Sequence, residues 1–148
     1  LERLVDEFRE EGGGVDASMM IGGESFELQP EVKTALFRLT QEALTNVRKH
    51  ANAQHVHIAL NFDEEEGVRL EVSDDGTGFD IEAVQLDPRR GIGLRNMRER
   101  MEAIGGRLTM CSNAGRTSIE AEVPARSARA AAAEQKQQAH APATGARA

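Results

Sequence analysis

The sequence predicts a two-layer α/β sandwich, in which a mixed β-sheet carries its helices on one face. Several segments alternate apolar and polar residues, as strands with one buried face do, and others repeat apolar residues at helical spacing. One-sided strands and amphipathic helices bury their apolar surfaces against each other, which gives two layers. The length of 148 residues suits one such domain.

Three segments are predicted to be helices. They cover residues 1–11, 30–51 and 93–104. The first ends at a run of glycines, and the second begins at Pro30, a residue that suits a first helical turn. The third ends at Gly105-Gly106, a typical helix stop.

Five segments are predicted to be strands. They cover residues 15–21, 56–60, 68–72, 107–112 and 117–123. An acidic turn from Asp63 to Gly67 joins the second and third into an antiparallel hairpin, and Asn113-Ala114-Gly115 joins the last two.

The composition changes after Pro124. Residues 1–124 form the predicted domain, whereas residues 125–148 are rich in Ala and lack large apolar side chains. Such a segment cannot bury enough surface to offset its ordering entropy. We expect a disordered tail, with transient helix around residues 130–138.

The composition also excludes several classes of function. With a formal net charge of −7, five Phe and no Tyr or Trp, neither nucleic acid nor an anionic membrane is expected as a main partner. No apolar run approaches the roughly 18 residues of a spanning helix, and residues 1–11 are too acidic for a signal peptide. A cytoplasmic domain without direct membrane contact is expected. The single cysteine, Cys111, fits a reducing compartment and is expected to be a small apolar residue in a strand.

The segment Asp74-Asp-Gly-Thr-Gly78 predicts a base-binding turn. Asp74 continues the alternation of Leu70 and Val72, so its carboxylate should point toward the helices, while Asp75 points the other way. A buried carboxylate needs a donor, and the exocyclic amine of adenine would be one. Gly76 and Gly78 would let a flat ring approach closely, although Asp-Gly pairs also mark ordinary turns.

The end of the long helix predicts a metal and phosphate site. At about 100° per residue, Glu42, Asn46 and Lys49 share one arc at the border of the apolar stripe. An amide oxygen suits Mg²⁺, a carboxylate can hold a metal-bound water, and an ammonium group can neutralise a phosphate. The alternative is an ordinary polar edge. His50 lies toward the apolar arc, either beside a nucleotide or as a satisfied core histidine.

Gly91-Ile-Gly93-Leu94 opens the last predicted helix. The unpaired backbone N–H groups and positive dipole end of a helix N-terminus suit phosphate, although a flexible helix entry has the same pattern. Residues 79–91, with Arg89 among them, form a predicted loop that could close over a nucleotide.

Thr117 and the histidines of the second strand complete the set of polar residues. Thr117 shares the parity of Ile119, so its hydroxyl should face inward, where adenine, a bridging water or a local carbonyl could satisfy it. His55 and His57 fall on the polar face of their strand and are assigned no chemistry.

At these residues the chain resembles the catalytic ATP-binding domain of bacterial sensor histidine kinases, whose Bergerat fold is shared with gyrases, chaperones and mismatch-repair ATPases. Segments 41–51 and 91–100 are similar to the nitrate-sensor and desaturase-sensor subfamily. The resemblance covers residues 1–124 and implies a two-component histidine protein kinase that uses ATP and Mg²⁺.

The resemblance implies roles for individual residues. Asn46 would hold Mg²⁺ and Asp74 would bind adenine. Catalytic positions would be Glu42 and Lys49, and cofactor-binding positions would be Asn46, His50, Asp74, Gly76, Gly78, Gly91, Gly93, Leu94 and Thr117. Arg116 departs from the pattern, because such domains often have a second glycine before the threonine.

A phosphoacceptor histidine on a dimerising hairpin is not recognisable in the sequence. The chain is therefore expected to be a fragment that binds Mg·ATP without autophosphorylating alone. Its partners would be the dimerisation and phosphoacceptor domain of the same kinase, which would be a homodimer, and a response regulator that acts through that domain. Alternatives on the same fold are a serine kinase that acts on an anti-anti-sigma factor and an ATPase switch without kinase activity.

Overall fold

Five strands form a mixed sheet in the computed structural model of the chain, which describes residues 1–11, 13–87, 89 and 91–130. The strands are β1 (Asp16–Gly22), β2 (His55–Asp63), β3 (Gly67–Asp74), β4 (Arg107–Asn113) and β5 (Arg116–Pro124). Their order in the sheet is β1-β2-β3-β5-β4. β1 runs parallel to β2, and the other neighbours are antiparallel. All five predicted strands and both predicted hairpins are confirmed.

Five α-helices are described, and one of them continues into a wider turn. They are α1 (Glu2–Glu10), α2 (Pro30–Asn46), α3 (Ile81–Leu86), α4 (Ile92–Ala103) and α5 (Ala125–Ala128). A single π-helical turn, Val47–Ala51, follows α2 and reaches the predicted end of the long helix. Across the described ranges, no helix is long and apolar enough to cross a membrane.

One face of the sheet packs against the helices. Ile58 of β2 and Leu70 of β3 are fully buried, because alternate residues of these strands enter the core. The opposite face is polar, and there the exposed side chains of Arg69 and Glu122 form an ion pair at 2.8 Å. The predicted two-layer arrangement is confirmed. Cys111 lies in β4 as predicted, but its side chain is exposed on the polar face.

The apolar stripe of α2 fills the centre of the helical layer. Its five members are at most 4 % exposed; they are Val32, Leu36, Leu39, Ala43 and Val47. The buried hydroxyl of Thr40 donates to the Leu36 carbonyl at 2.9 Å, so it adds no unsatisfied group. Leu94, Met97 and Met101 of α4 join the same core.

The segment 79–91 differs from the predicted loop because it contains α3. The Asp80 side chain caps this helix by accepting a hydrogen bond from the Ala83 amide at 3.0 Å. Six residues are too few for apolar periodicity to stand out, and Leu86 is 83 % exposed. The sequence signal was the cap residue followed by Glu82 in the first turn.

The structured chain continues past the predicted boundary at residue 124. Ala128 in α5 is fully buried, and Leu28 pairs with Arg129 as an isolated β-bridge. Small alanine side chains can thus pack although they provide no apolar stripe. The first six residues of the predicted tail are therefore part of the fold, whereas residues 131–148, where disorder and transient helix are predicted, lie outside the described residues.

Candidate functional site

Asp74 ends β3 with its side chain turned into the helical layer. It lies opposite Val56 of β2 and Thr117 of β5, and it is 8 % exposed. Its Oδ1 accepts a hydrogen bond from the Gly76 amide at 2.9 Å. Burial raises the pKa of Asp74, the Gly76 bond lowers it, and the nearby Asp75 charge raises it. The inward direction predicted from strand parity is confirmed.

The turn after Asp74 packs against the end of the π turn. A Cβ built at Gly76 would lie 2.4 Å from the Ala51 carbonyl oxygen, so only glycine fits this approach. The Thr77 amide donates to the same oxygen at 2.8 Å. The predicted base-binding turn and the end of the predicted metal-binding helix are therefore in direct contact.

Gly78 brings the same turn against the β4–β5 hairpin. Its φ is +70°, and a Cβ there would lie 2.0 Å from the Asn113 carbonyl oxygen. The following amide, that of Phe79, donates to Ser112 Oγ at 2.9 Å.

Thr117 is buried, as predicted, and a side chain that the sequence did not single out contacts it. Its hydroxyl oxygen lies 2.9 Å from Ser112 Oγ, so a side chain satisfies it rather than a backbone carbonyl. Ser112 and Thr117 face each other in the β4–β5 register. Sequence reasoning missed Ser112, although the predicted hairpin with its turn at 113–115 places it opposite Thr117.

Glu42 and Asn46 lie at the rim of the core, where the helical arc predicted them. Both are half-buried, and within the described part of the chain neither side chain has a hydrogen-bond or ion-pair partner. Lys49 is exposed. A free carboxylate and a free amide one turn apart are suited to a hard cation that brings its own waters.

His50 is exposed, so its predicted place toward the apolar arc is wrong. The π turn is the physical cause, because it winds less per residue than an α-helix: Val47 at its start stays buried, whereas His50, three residues later, is rotated away from the stripe. π turns are found frequently at functional sites, and this one follows Asn46 and contains Lys49.

The start of α4 lies against Glu42. A Cβ built at Gly93 would be 2.5 Å from Glu42 Oε1, so the carboxylate touches the first helical turn. The Gly91 amide donates to the Asp87 carbonyl at 3.0 Å, and it is therefore not free for a phosphate. The free amides of this helix start therefore begin at Ile92. The Leu94 side chain is 8 % exposed and belongs to the core.

The structure thus brings the three sequence segments together at one end of the helical layer. Gly76 contacts Ala51 at the end of the π turn, and Gly93 contacts Glu42 on α2. An apolar groove of about 540 Å³ lies elsewhere, lined by Met19, Phe37 and others, and none of the predicted site residues lines it.

The sequence matches a protein family across this site. Residues 31–127 match the family described as histidine kinase-, DNA gyrase B-, and HSP90-like ATPase, a range that includes all the candidate residues. The chain belongs to this family.

Several curated relatives are sensor histidine kinases. Sensor histidine kinase MctS from Rhizobium johnstonii is 37% identical over 124 residues, 84% of this chain and 26% of the relative. DegS, a signal transduction histidine-protein kinase/phosphatase from Brevibacillus brevis, is 40% identical over 113 residues, 74% of this chain and 27% of the relative. LiaS, a sensor histidine kinase from Bacillus subtilis, is 36% identical over 125 residues, 84% of this chain and 33% of the relative. The chain spans between a quarter and a third of the length of these relatives.

Solved structures show the same fold. The histidine kinase domain of a blue-light activated kinase from Erythrobacter litoralis EL346 has a TM-score of 0.66 at 21% identity, over 84% of this chain and 59% of that chain. The ATP binding domain of PrrB from Mycobacterium tuberculosis has a TM-score of 0.64 at 20% identity, over 84% of this chain and 90% of that chain. The family match and the relatives support the predicted class, the ATP-binding domain of a sensor histidine kinase, and the solved structures show its fold.

Proposed function

We propose that the chain binds Mg·ATP at the Asp74 end of the helical layer and donates the γ-phosphoryl group to a histidine of a separate domain. The observation that carries this proposal is the buried Asp74 carboxylate, beside a turn that contacts the end of the helix bearing Asn46. Relatives that are named sensor histidine kinases support a histidine as the acceptor of the phosphoryl group.

Asp74 is proposed to bind the adenine base. Its carboxylate accepts one hydrogen bond from the Gly76 amide, and its other acceptor positions remain available. The exocyclic amine of adenine donates a hydrogen bond and would satisfy a group that burial otherwise penalises. Gly76 and Gly78 let the turn lie close to the Ala51 and Asn113 carbonyls. On the hairpin side, Ser112 accepts from the Phe79 amide and contacts the Thr117 hydroxyl.

Mg²⁺ is proposed to be held by Asn46, with Glu42 orienting a metal-bound water. The free Asn46 amide and the free Glu42 carboxylate fit this ion. The described residues contain no cluster of three acidic, histidine or cysteine side chains that could hold a metal ion. Bound Mg²⁺ would neutralise charge on the phosphates, and the phosphates with water would complete its coordination.

The phosphate end is assigned to the start of α4 and to basic side chains. The amides of Ile92 and Gly93 open α4, where the helix dipole favours an anion. The exposed side chains of Lys49 and His50 can reach out from the π turn, and Arg89 is exposed before α4. Phosphoryl transfer depends mainly on such positioning and charge neutralisation.

The partners of this domain are part of the proposal. The acceptor histidine would lie on a dimerisation domain of the same protein, the whole protein would be a homodimer in the cytoplasm or anchored to the membrane, and a response regulator would receive the phosphoryl group. Segments 41–51 and 91–100 support the nitrate-sensor and desaturase-sensor subfamily.

Calorimetric titration of the chain with ATP, with and without Mg²⁺, tests this function. We expect Asn46→Ala to weaken Mg·ATP binding by about tenfold to a hundredfold, because it removes a metal ligand, and to leave metal-free ATP binding unchanged. Glu31→Gln, on the exposed start of the same helix, is the matched control. Absence of nucleotide binding, or equal dependence on Mg²⁺ in both variants, would contradict the proposal.

A further inference from the structure

Asp75 lies on the opposite side of the sheet end from Asp74, outside the proposed pocket. We infer that Asp75, with His55, is a positioning residue: it fixes the segment between the π turn and β2 against the base-binding turn. The inference rests on the proposed function, since it assigns Asp75 to the geometry of the same nucleotide pocket.

The Asp75 carboxylate clamps the start of β2. Its Oδ1 accepts hydrogen bonds from the Gln54 and His55 amides, each at 2.8 Å. Its Oδ2 lies 2.7 Å from His55 Nδ1, and the Asp75 amide donates to the His55 carbonyl at 3.2 Å. Four polar contacts therefore join two residues of one segment to a single residue of the turn.

The clamped segment links the two halves of the proposed pocket. It runs from Ala51, the last residue of the π turn, to His55, the first residue of β2. Asp74, the base-binding residue, directly precedes Asp75, whereas Asn46 precedes the π turn. Loss of the clamp would leave the Thr77 and Gly76 contacts with Ala51, and the pairing of Asp74 with Val56 in the sheet, to link the halves.

The carboxylate at the centre of the clamp is ionised. The His55 amide and ring lower the pKa of Asp75 to about 2, so the carboxylate stays ionised at physiological pH. The hydrogen bond from Asp75 raises the pKa of His55, and the Asp75 and Asp16 charges raise it further. His57, bonded to Ser18, shares this face of β2.

The sign of the pH effect follows from the raised pKa of His55. Protonated His55 strengthens the clamp at low pH, and this part is lost as the pH rises through that pKa. His55 is exposed, so the charged pair itself contributes little. The two backbone amides on Oδ1 keep their bonds at every pH above the pKa of Asp75.

Titration of the 148-residue chain with Mg·ATP tests the role of Asp75. We expect Asp75→Asn to weaken binding by about threefold to tenfold, because one acceptor and the charge are lost while the pocket residues remain. Asp63→Asn is the matched control: Asp63 Oδ1 also accepts two backbone amides at 2.8 Å, but at the other end of β2. We expect it to leave the affinity unchanged.

A pH series on His55→Gln separates positioning from simple loss of stability. The ratio of wild-type to His55→Gln affinity for Mg·ATP should fall by about twofold as the pH rises from about 6 to about 8.5. Titration of the nucleotide itself cancels in this ratio.

Two results would overturn the inference. One is equal affinity of Asp75→Asn and Asp63→Asn for Mg·ATP while the wild type binds the nucleotide. This result would leave the proposed function intact. The other is a ratio for His55→Gln that does not change with pH. A wild-type chain that binds no nucleotide would instead overturn the proposed function, and this inference with it.

Discussion

Asp74 is the one buried charged side chain in the part of the chain that the structure describes. Its burial costs free energy in the absence of a ligand, because a single amide donor does not replace its lost hydration. Residues that break the ordinary rules of folding in this way concentrate at functional sites. The free-energy cost of burying Asp74 is thus consistent with a hydrogen-bond donor that a bound base supplies.

The raised pKa of Asp74 predicts how its replacement changes stability. In the unfolded chain the carboxyl titrates near its ordinary value, so the folded state binds the proton more tightly and loses stability as the pH rises between the two pKa values. Asp74→Asn is neutral throughout and still accepts from Gly76. We expect the ligand-free variant to be as stable as the wild type or up to about 1 kcal/mol more stable at pH 7.

Denaturant unfolding across a pH series measures this difference. It should shrink below about pH 4, where Asp74 is protonated in both states. A variant less stable than the wild type by more than about 1 kcal/mol at pH 7 would contradict the assigned cost of burial.

At the scale of elements, the π turn determines how α2 meets the pocket. Asn46 keeps its α-helical direction at the rim of the core, whereas Lys49 and His50 turn outward into solvent. Exposed basic side chains and a half-buried amide therefore lie within one turn of each other.

The Gly78 turn predicts a stability difference between two glycine variants. Gly78 and Gly14 have φ values of +70° and +73°, but only Gly78 has a close neighbour, the Asn113 carbonyl. Alanine at either position costs about 1 kcal/mol of backbone strain, and at Gly78 the displaced hairpin adds about 1 to 3 kcal/mol. Thermal unfolding of Gly78→Ala and Gly14→Ala measures the difference. Equal melting temperatures would mean that the turn and the hairpin are not in contact.

Strand parity and helix periodicity predicted where most of the candidate residues lie in the fold, because both follow from local geometry. They placed Asp74 and Thr117 inward and Asn46 at the rim, as observed. They could not predict the outward turn of His50, since a uniform 100° per residue fails at a π turn.

Short elements were missed for a different reason. α3 and α5 contain six and four residues, fewer than the apolar repeat needs to appear. α5 gains its order from tertiary contacts, which leave no pattern in an alanine-rich segment.

At the scale of the whole molecule, the chain corresponds to one part of its longer curated relatives. Its relatives are three to four times as long as the matched segment, as coverages of 26% and 33% indicate. These relatives are sensor kinases, which favours the histidine kinase over the two alternatives on the same fold.

The residues after Pro124 predict where the domain can be shortened. The Ala128 carbonyl accepts from the Gln29 amide at 2.9 Å, and the Ala130 amide donates to the Glu27 carbonyl at 2.9 Å. The Arg129 guanidinium lies 4.4 Å from the Phe26 ring centroid. We expect a chain that ends at residue 124 to lose about 2 to 4 kcal/mol of stability. A chain that ends at residue 130 should melt within a degree or two of the intact chain, about the effect of a few tenths of a kcal/mol. Equal melting temperatures of the two shortened chains would show that residues 125–130 do not stabilise the fold.

The discrimination between ATP and GTP tests the central claim, that Asp74 binds adenine, most directly. Adenine presents an amine donor where guanine presents a carbonyl acceptor, so a carboxylate favours ATP and repels GTP. Calorimetry should show that the wild-type chain prefers Mg·ATP by about a hundredfold or more, and that Asp74→Asn reduces this preference at least about tenfold because its amide can donate to guanine. Equal affinity of the wild type for both nucleotides, or an unchanged preference in Asp74→Asn, would contradict the account.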